Sequence, residues 1–312
     1  MSESESSAPG PPANGMATDG AGAHEHYSEP WTERLSEALQ NVVKVLIGSN
    51  RRPPRRLKSL LNGTWLRHPL HSVLNDVPVS AWFLTAAFDV IWLAWPVARV
   101  WAPRGAEVAV LWGLVGAAGA IVTGATDWSD TYGAARRLGL LHGTLNTTAF
   151  VLYAISAGLR LSTSSGQSVT AAIVGFVGLA VVSVGAYVGG DMVYAKGTGV
   201  NHTAWEPAIE EFEPVAALAD VPDRQLYPVV ASGVKVILLR EDERLYAIAA
   251  TCTHAGGPLD AGTLEGGVVQ CPWHGSRFRM RDGRVMTGPA TISEPCYEVR
   301  VREGRVEIKR HE

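Results

Sequence analysis

The sequence is short of charged residues and of cysteine, and it has no basic excess. Charged residues are 18% of its 312 residues, below the roughly 25% of a soluble globular protein. The formal net charge of −3 argues against nucleic acid as a partner, because no basic surplus exists to release counterions. Three cysteines, an odd number, do not make a disulfide scaffold, and metal binding is the better interpretation for at least two of them.

The hydrophobic residues, 46% of the chain, are concentrated between Val77 and Gly190. This distribution excludes a single soluble globule, and the length predicts about two domains. Residues 1–30 are rich in Ser, Glu, Gly, Ala and Pro and are predicted to be a disordered tail without a signal peptide. Residues 31–76 are predicted to form an amphipathic helix, on the membrane or against other helices, and a basic juxtamembrane segment. A twin-arginine export signal is the alternative for the basic segment.

Four apolar segments follow, each about 20 residues long, which is the length of a helix that crosses a bilayer. Small residues recur along the second and fourth segments and allow helices to approach closely in lipid. Residues 77–190 are therefore predicted to be a membrane α-helical bundle of four transmembrane helices. Its segments are Val77–Val100, Ala106–Thr126, Leu138–Leu159 and Val169–Gly190.

Lys and Arg are distributed unevenly around these segments. Four spans place both flanks on one side of the membrane, where nine Lys and Arg residues lie near the spans, against three on the other side: Arg99, Arg104 and Arg160. The positive-inside rule then places both termini in the cytoplasm. We predict a multi-pass protein of the cell membrane (inner or plasma) whose C-terminal domain is cytoplasmic.

The composition changes after Asp191. Residues 191–212 are predicted to be a linker, and residues 213–312 contain short β-type runs separated by turn signals. Asp282-Gly283 and Glu303-Gly304 are typical of hairpin turns. These features predict a small all-β domain of about 100 residues, within the usual size range of a domain.

Two short motifs in this domain carry four metal-binding side chains. Cys252-Thr253-His254 is followed, after sixteen residues, by Cys271-Pro272-Trp273-His274. A zinc finger usually segregates its cysteines from its histidines, whereas a Rieske [2Fe–2S] centre replaces two cysteines with histidines on one iron. Structural zinc on the same four residues is the alternative. Through these motifs and their continuations, AGGPL and GSRF, residues 213–312 resemble the Rieske ferredoxin family.

This resemblance implies roles for particular residues. Cys252 and Cys271 would hold the inner iron of a [2Fe–2S] cluster, and His254 and His274 would hold the outer iron, which takes the electron near the protein surface. The family's serine hydrogen-bond donor is present, but its usual tyrosine is a phenylalanine here, so we predict an intermediate or low reduction potential. The predicted surroundings of the cluster are Gly256, Trp273, Ser276 and Phe278.

Residues 60–200 resemble a membrane family without an established activity, domain-of-unknown-function family 2231. The likeness rests on His68-Pro69-Leu70-His71, on Asp127 and on the segment from Arg136 to His142. Ionisable groups inside a membrane domain are functional candidates, and Asp89 is predicted to lie deep in the first span, level with Asn146. The candidate polar site is His68, His71, Asp89, Asp127, His142 and Asn146.

Three interpretations of this polar site remain open. The polar groups cap helices and hydrogen-bond between them, or they form a quinone headgroup pocket with His142 or His71 as donor. The third is ligation of haem b by two of four histidines: His68, His71, His142 and His202.

The function predicted from the sequence is a membrane-anchored Rieske protein that carries single electrons. Its partners would be the lipid bilayer and a redox partner, either a quinone or a soluble protein. A redox-sensing membrane protein and a ferredoxin-like component of an oxygenase system are the alternatives. No self-contained catalytic site is predicted, because an oxygenase needs a mononuclear iron site in a further large domain.

Overall fold

A computed structural model describes residues 31–48 and 56–311 of the chain. The predicted disordered tail and the arginines at 51, 52 and 55 lie outside the described residues. The described chain divides into two compact units. We call residues 31–47 and 68–198 the helical unit, and residues 48, 56–67 and 199–311 the β unit.

Six α-helices occur in the described residues, and all but the second belong to the helical unit. Four helices of that unit are long and apolar enough to cross a membrane. The predicted four-helix architecture is therefore confirmed. The helices are α1 (Trp31–Ile47), α2 (Arg56–Asn62), α3 (Leu70–Ala94), α4 (Ala102–Trp128), α5 (Gly133–Leu161) and α6 (Val169–Tyr194).

The four long helices form a bundle in which α3 and α5 are diagonal to each other. Helix α3 packs on α4 and α6, and helix α5 packs on the same two neighbours. Large apolar side chains point away from the bundle and are more than half exposed, among them Phe83, Trp112, Val115 and Val184. An apolar surface of this extent fits a lipid environment, because apolar side chains cost little free energy in contact with lipid and much more in contact with water.

The first span begins earlier than predicted from the sequence. Helix α3 starts at Leu70 and not near Val77. Its first turns contain polar residues, so an apolar run does not mark where the helix begins. Asp89 therefore lies near the far end of the span and not at mid-depth, and it is not level with Asn146. Arg160, predicted to lie in a loop, is a buried residue in the last turn of α5.

Helix α1 buries its polar side and exposes its apolar side. Ser36 and Gln40 are buried, and the Gln40 side-chain amide donates to the carbonyl oxygens of Trp128 at 2.7 Å and Thr131 at 2.9 Å. The apolar side chains of the helix stay exposed: Leu35, Leu39, Val42, Val45 and Leu46. The helix is thus fixed to the α4–α5 turn, with an outward face suited to lipid.

The β unit is built from ten antiparallel strands in two sheets. The six-stranded sheet has the order β1-β10-β9-β4-β3-β2, and the four-stranded sheet has the order β5-β6-β7-β8. The predicted small all-β domain is confirmed. The strands are β1 (Glu213–Ala217), β2 (Leu226–Ala231), β3 (Val234–Glu241), β4 (Arg244–Ala249), β5 (Thr263–Glu265), β6 (Val268–Gln270), β7 (Arg277–Arg279), β8 (Val285–Thr287), β9 (Cys296–Arg302) and β10 (Arg305–Arg310).

Strand β3 shows why the β unit has two cores. Successive side chains of a strand point to opposite faces of the sheet. Val236 and Leu238 therefore enter one apolar cluster, while Ile237 and Leu239 enter the other. The second cluster also contains the predicted ligand Cys252, among others. The predicted metal loops are thus anchored in a packed core.

Two segments outside the ten strands also pack on the β unit. Ile209, within the predicted linker, is 2% exposed in the first core, and its carbonyl oxygen accepts from the Arg310 N–H at 2.8 Å. From the segment that begins with α2, the Thr64 hydroxyl donates to the Ala290 carbonyl at 3.5 Å. Residues 199–212 therefore belong to the folded β unit in this structure.

Candidate metal centre and membrane polar site

Two loops of the β unit present the predicted ligands, and they have matching backbone geometry. The first follows β4 and begins at Cys252, and the second joins β6 to β7 and begins at Cys271. In each loop the cysteine N–H donates at 2.8 Å to the carbonyl five residues ahead. Each cysteine carbonyl accepts from a glycine N–H four residues ahead, Gly256 or Gly275. These glycines have φ of 74° and 77°, a region that glycine adopts without strain.

The two loops bring their sulfur atoms and their imidazoles together in pairs. Cys252 and Cys271 are both buried. The hydrogen bond of the Cys252 thiol with Cys271, followed by burial, raises the pKa of Cys252, so a metal must displace protons from this thiol pair. The rings of His254 and His274 lie 4.8 Å apart between centroids, at 81° to one another. The structure therefore brings all four predicted ligands to one place.

The donor set fits a two-iron cluster. Nδ1 of His254 is buried without a hydrogen-bond partner, and desolvation by burial lowers the pKa of this histidine to about 3. Its imidazole is thus neutral, as a metal ligand must be. The two thiols form one pair and the two imidazoles form another, and each loop contributes one member to each pair. A Rieske cluster divides its four ligands between two irons, whereas structural zinc needs all four around one ion.

The four predicted neighbours of the cluster lie on or directly beside the two loops. Ser276 is fully buried, and its Oγ accepts from the Ala290 N–H at 3.0 Å, which leaves the serine hydrogen available to a second acceptor. Phe278 is fully buried and brings no hydroxyl. The Trp273 ring meets the His274 ring edge-on at 6.4 Å.

Two residues hold the first loop in a way that the sequence did not predict. The carboxylate of Glu294, which is 3% exposed, accepts from the Thr253 N–H at 2.7 Å. Desolvation by burial raises the pKa of Glu294 well above its usual value. The N–H of His202 donates to the Thr253 carbonyl at 3.1 Å, so this histidine belongs to the β unit. No local sequence signal marks Glu294, because it is distant from the ligands along the chain.

In the helical unit, two of the predicted polar residues meet. Nδ1 of His71 lies 2.9 Å from the carbonyl oxygen of Ala120 on α4, and Nδ1 of His142 lies 2.9 Å from that of Gly185 on α6. The two imidazole centroids are 6.2 Å apart and nearly perpendicular. The Asn146 amide donates to the His142 carbonyl at 2.8 Å, so Asn146 belongs to this group.

The other predicted polar residues lie elsewhere. Asp89 forms a two-pronged ion pair with Arg160, at 2.9 and 2.6 Å, and both side chains are buried. His68 is exposed, and its Nδ1 lies 3.4 Å from the carbonyl oxygen of its neighbour Pro69. Asp127 is half-buried near the end of α4. Asp89 therefore lies apart from the histidine pair, and His71, His142 and Asn146 are the candidates that the structure brings together.

Comparisons with known proteins agree with both units. Residues 211–298 match the Rieske [2Fe-2S] domain family, and residues 67–202 match a predicted membrane protein family (DUF2231). The ferredoxin CarAc of Metapseudomonas resinovorans is 39% identical over 69 residues, which are 22% of this chain and 64% of that ferredoxin. The match thus spans less than two thirds of that relative.

A second relative is matched almost over its full length. The ferredoxin component of the naphthalene 1,2-dioxygenase/salicylate 5-hydroxylase systems of a Ralstonia species is 31% identical over 94 residues, 30% of this chain and 90% of its own. The solved ferredoxin of carbazole 1,9a-dioxygenase from Nocardioides aromaticivorans IC177 is 25% identical, covers 32% of this chain and 98% of its own, and has a TM-score of 0.31. Through its β unit, this chain belongs to the Rieske [2Fe-2S] family, and it joins that domain to a multi-pass membrane domain that matches DUF2231.

Proposed function

We propose that this protein is a membrane-anchored Rieske electron carrier with Cys252, His254, Cys271 and His274 as the cluster ligands. The observation that carries the proposal is the convergence of these four side chains from two matching loops. The bound [2Fe–2S] cluster supplies reversible one-electron chemistry. The four apolar helices hold the carrier at the membrane.

The cysteines form the buried part of the site, and the histidines form its outer part. Cys252 and Cys271 lie in the second core, where buried thiolates are shielded from solvent. His254 and His274 are partly exposed, and they are the ligands closest to an approaching partner. Neutral imidazole in place of thiolate makes the ligand set less negative, which favours the reduced state.

A soluble redox protein that docks over the two histidines is the partner this arrangement supports best. One of the similar proteins named above is the ferredoxin component of naphthalene 1,2-dioxygenase/salicylate 5-hydroxylase systems, which supports an oxygenase-type acceptor. A quinone in the membrane is the second donor or acceptor in our proposal. Electron transfer requires a partner to contact only the exposed edges of the two imidazole rings. The same site can therefore serve either partner.

A cytoplasmic β unit is the orientation we propose. This orientation is supported by the distribution of Lys and Arg around the spans. Arg160 no longer counts toward the sparsely charged side, because it is paired with Asp89 inside the bundle. Arg99 and Arg104 then remain at the sparsely charged end. A C-terminal reporter that is active only outside the cytoplasm would contradict this orientation.

The test is made on the full chain purified in detergent without air. The reduced protein should give the electron paramagnetic resonance signal of a Rieske cluster, and the signal should disappear in Cys252→Ser. Cys296→Ser is the matched control, because the third cysteine lies outside the ligand loops and should leave the signal intact. Added to an excess of a soluble one-electron acceptor, the reduced protein should lose the cluster signal, because each cluster gives up one electron. A folded protein without the signal, or one whose cluster retains its electron, would overturn the proposal.

A further inference from the structure

The helical unit contains an internal repeat, in which the α3–α4 hairpin corresponds to the α5–α6 hairpin. Leu-His-x-x-Leu-Asn occurs at residues 70–75 and again at 141–146. Three residues of α3 have counterparts 71 positions later on α5. The corresponding pairs are His71 with His142, Trp82 with Tyr153, and Asp89 with Arg160.

Each corresponding pair meets at the centre of the bundle. The Trp82 and Tyr153 rings stack at 4.1 Å, the Asp89 and Arg160 side chains form the ion pair, and the two histidine rings lie 6.2 Å apart. Since α3 and α5 are diagonal, these contacts define an approximate two-fold axis along the bundle.

The contacts of α4 and α6 follow the same repeat, with an offset of 65 residues. The carbonyls that face the histidine Nδ1 atoms belong to Ala120 and Gly185. A Cβ atom on Gly124 would come within 2.8 Å of the His71 ring, and one on Gly189 would come within 2.8 Å of the His142 ring. Glycine at both positions therefore seats an imidazole against the neighbouring helix.

The backbone partners fix the chemistry of the two imidazoles. A carbonyl oxygen only accepts hydrogen bonds, so each Nδ1 must carry the hydrogen, and each neutral ring keeps its lone pair at Nε2. Histidines that bind metals are commonly oriented in this way, by donating the other ring N–H to a backbone carbonyl. A quinone carbonyl needs a hydrogen-bond donor, which a lone pair at Nε2 does not provide.

We infer that His71 and His142 are the two axial ligands of a haem b in the membrane bundle. Bundles build such cofactor sites from side chains of facing helices. Two imidazoles that bind one metal through nitrogens at about 2 Å have their ring centres about 6 Å apart, close to the separation seen here. The described residues offer no third ligand, and haem iron needs only two from the protein because the porphyrin fills four positions.

Haem binding by the helical unit does not depend on the Rieske cluster, and the experiment measures the two cofactors separately. The full chain is produced in cells supplied with a haem precursor and purified in detergent. A pyridine haemochrome assay should find one b-type haem per chain, and a reduced-minus-oxidised spectrum should show its sharp band beside the broad Rieske bleaching. Cys271→Ser should remove the bleaching and keep the haem.

Variants assign the ligands. His71→Ala and His142→Ala should each reduce the haem content at least tenfold, whereas His68→Ala, which changes an exposed histidine three residues away, should leave it unchanged. Gly124→Leu and Gly189→Leu should also exclude haem while keeping both histidines. Far-ultraviolet circular dichroism of each preparation, followed through thermal unfolding in detergent, verifies that the helical unit is folded.

Three results would overturn the inference. The first is wild-type protein with a Rieske signal that neither contains haem nor binds added haemin. The second is full haem content in the double variant His71→Ala/His142→Ala. The third is a metal without porphyrin, found by elemental analysis in proportion to the two histidines.

Discussion

The β unit and the helical unit carry their candidate sites in different ways. In the β unit, four ligands come from two loops within 23 residues, from Cys252 to His274, and each loop is closed by its own backbone hydrogen bonds. In the helical unit, the paired residues are 71 positions apart and meet only because two diagonal helices pack in register. A site of the first kind depends on local backbone geometry, and a site of the second kind depends on the assembly of the whole bundle.

The largest effect that tests this comparison is expected at the buried ion pair of the bundle. Arg160→Met leaves Asp89 as an unpaired buried charge, and breaking such a pair costs about 3–5 kcal/mol. The full chain should unfold at a markedly lower temperature in detergent, as followed by far-ultraviolet circular dichroism. The double variant Asp89→Leu/Arg160→Met should recover most of the loss, since neither charge remains. Equal stability of wild type and single variant would show that the pair does not hold the bundle.

The next effect concerns the central aromatic layer of the bundle. A Cβ atom on Gly113 would lie 2.3 Å from Nε1 of Trp82, and overpacking of this kind costs about 1–3 kcal/mol. Gly113→Ala should therefore lower the unfolding temperature of the helical unit, yet leave the cluster signal of the β unit unchanged. Gly158→Ala is the matched control, because nothing lies within 4 Å of its added carbon. A loss of the cluster in Gly113→Ala would contradict the independence of the two units.

The different origins of the two sites explain how much the sequence could predict. The ligand loops, the Glu303-Gly304 turn and most strands were predictable, because turn chemistry and alternation act over a few residues. The pairing of β1 with β10 joins the two ends of the domain, and no local pattern indicates it. The carboxylate of Glu294 reaches the first loop through that same long-range folding.

In the membrane domain, composition predicted four helices but not their ends or contacts. The hydropathy predicts a start of α3 that is too late, because His71 and its polar neighbours belong to the helix. The predicted depth of Asp89 is wrong for the same reason. The repeated Leu-His-x-x-Leu-Asn motif was present in the sequence. It becomes informative only when segments 71 residues apart are compared.

A smaller effect is expected on the reduction potential of the cluster in the β unit. Ser276→Ala removes the O–H available to the cluster, and one hydrogen bond of about 1 kcal/mol corresponds to roughly 40 mV for one electron. A redox titration should therefore find a lower potential than in wild type. Phe278→Tyr, which adds a hydroxyl beside the ligand loops, should raise the potential. Ser232→Ala, which changes an exposed serine bonded to Glu213, should leave the potential unchanged. A shift of the same size in that control would contradict the local origin of the effect.

The smallest effect is expected at a surface turn. Asp282 accepts from Nε of Arg279 at 2.9 Å, and this bond holds the pKa of Asp282 below its usual value. The contribution is present above the ordinary pKa of about 3.9 and is lost as pH falls through the lowered pKa. It is small because the pair is exposed to solvent. Denaturant unfolding between pH 3 and pH 6 should show a smaller pH dependence in Asp282→Asn. An unchanged pH dependence would assign it to other carboxylates.

The covalent link between the two hairpins has a consequence for charge. If two identical hairpins formed a symmetric dimer, the same residue would stand on both sides of the axis at every level. Two aspartates or two arginines would then face each other in the bundle and repel. Because both hairpins lie in one chain, the two copies can carry opposite charges at one level, as Asp89 and Arg160 do, and identical histidines at the other. About 27 Å separates the two levels along a helix, so symmetry is kept at one end of the bundle and abandoned at the other.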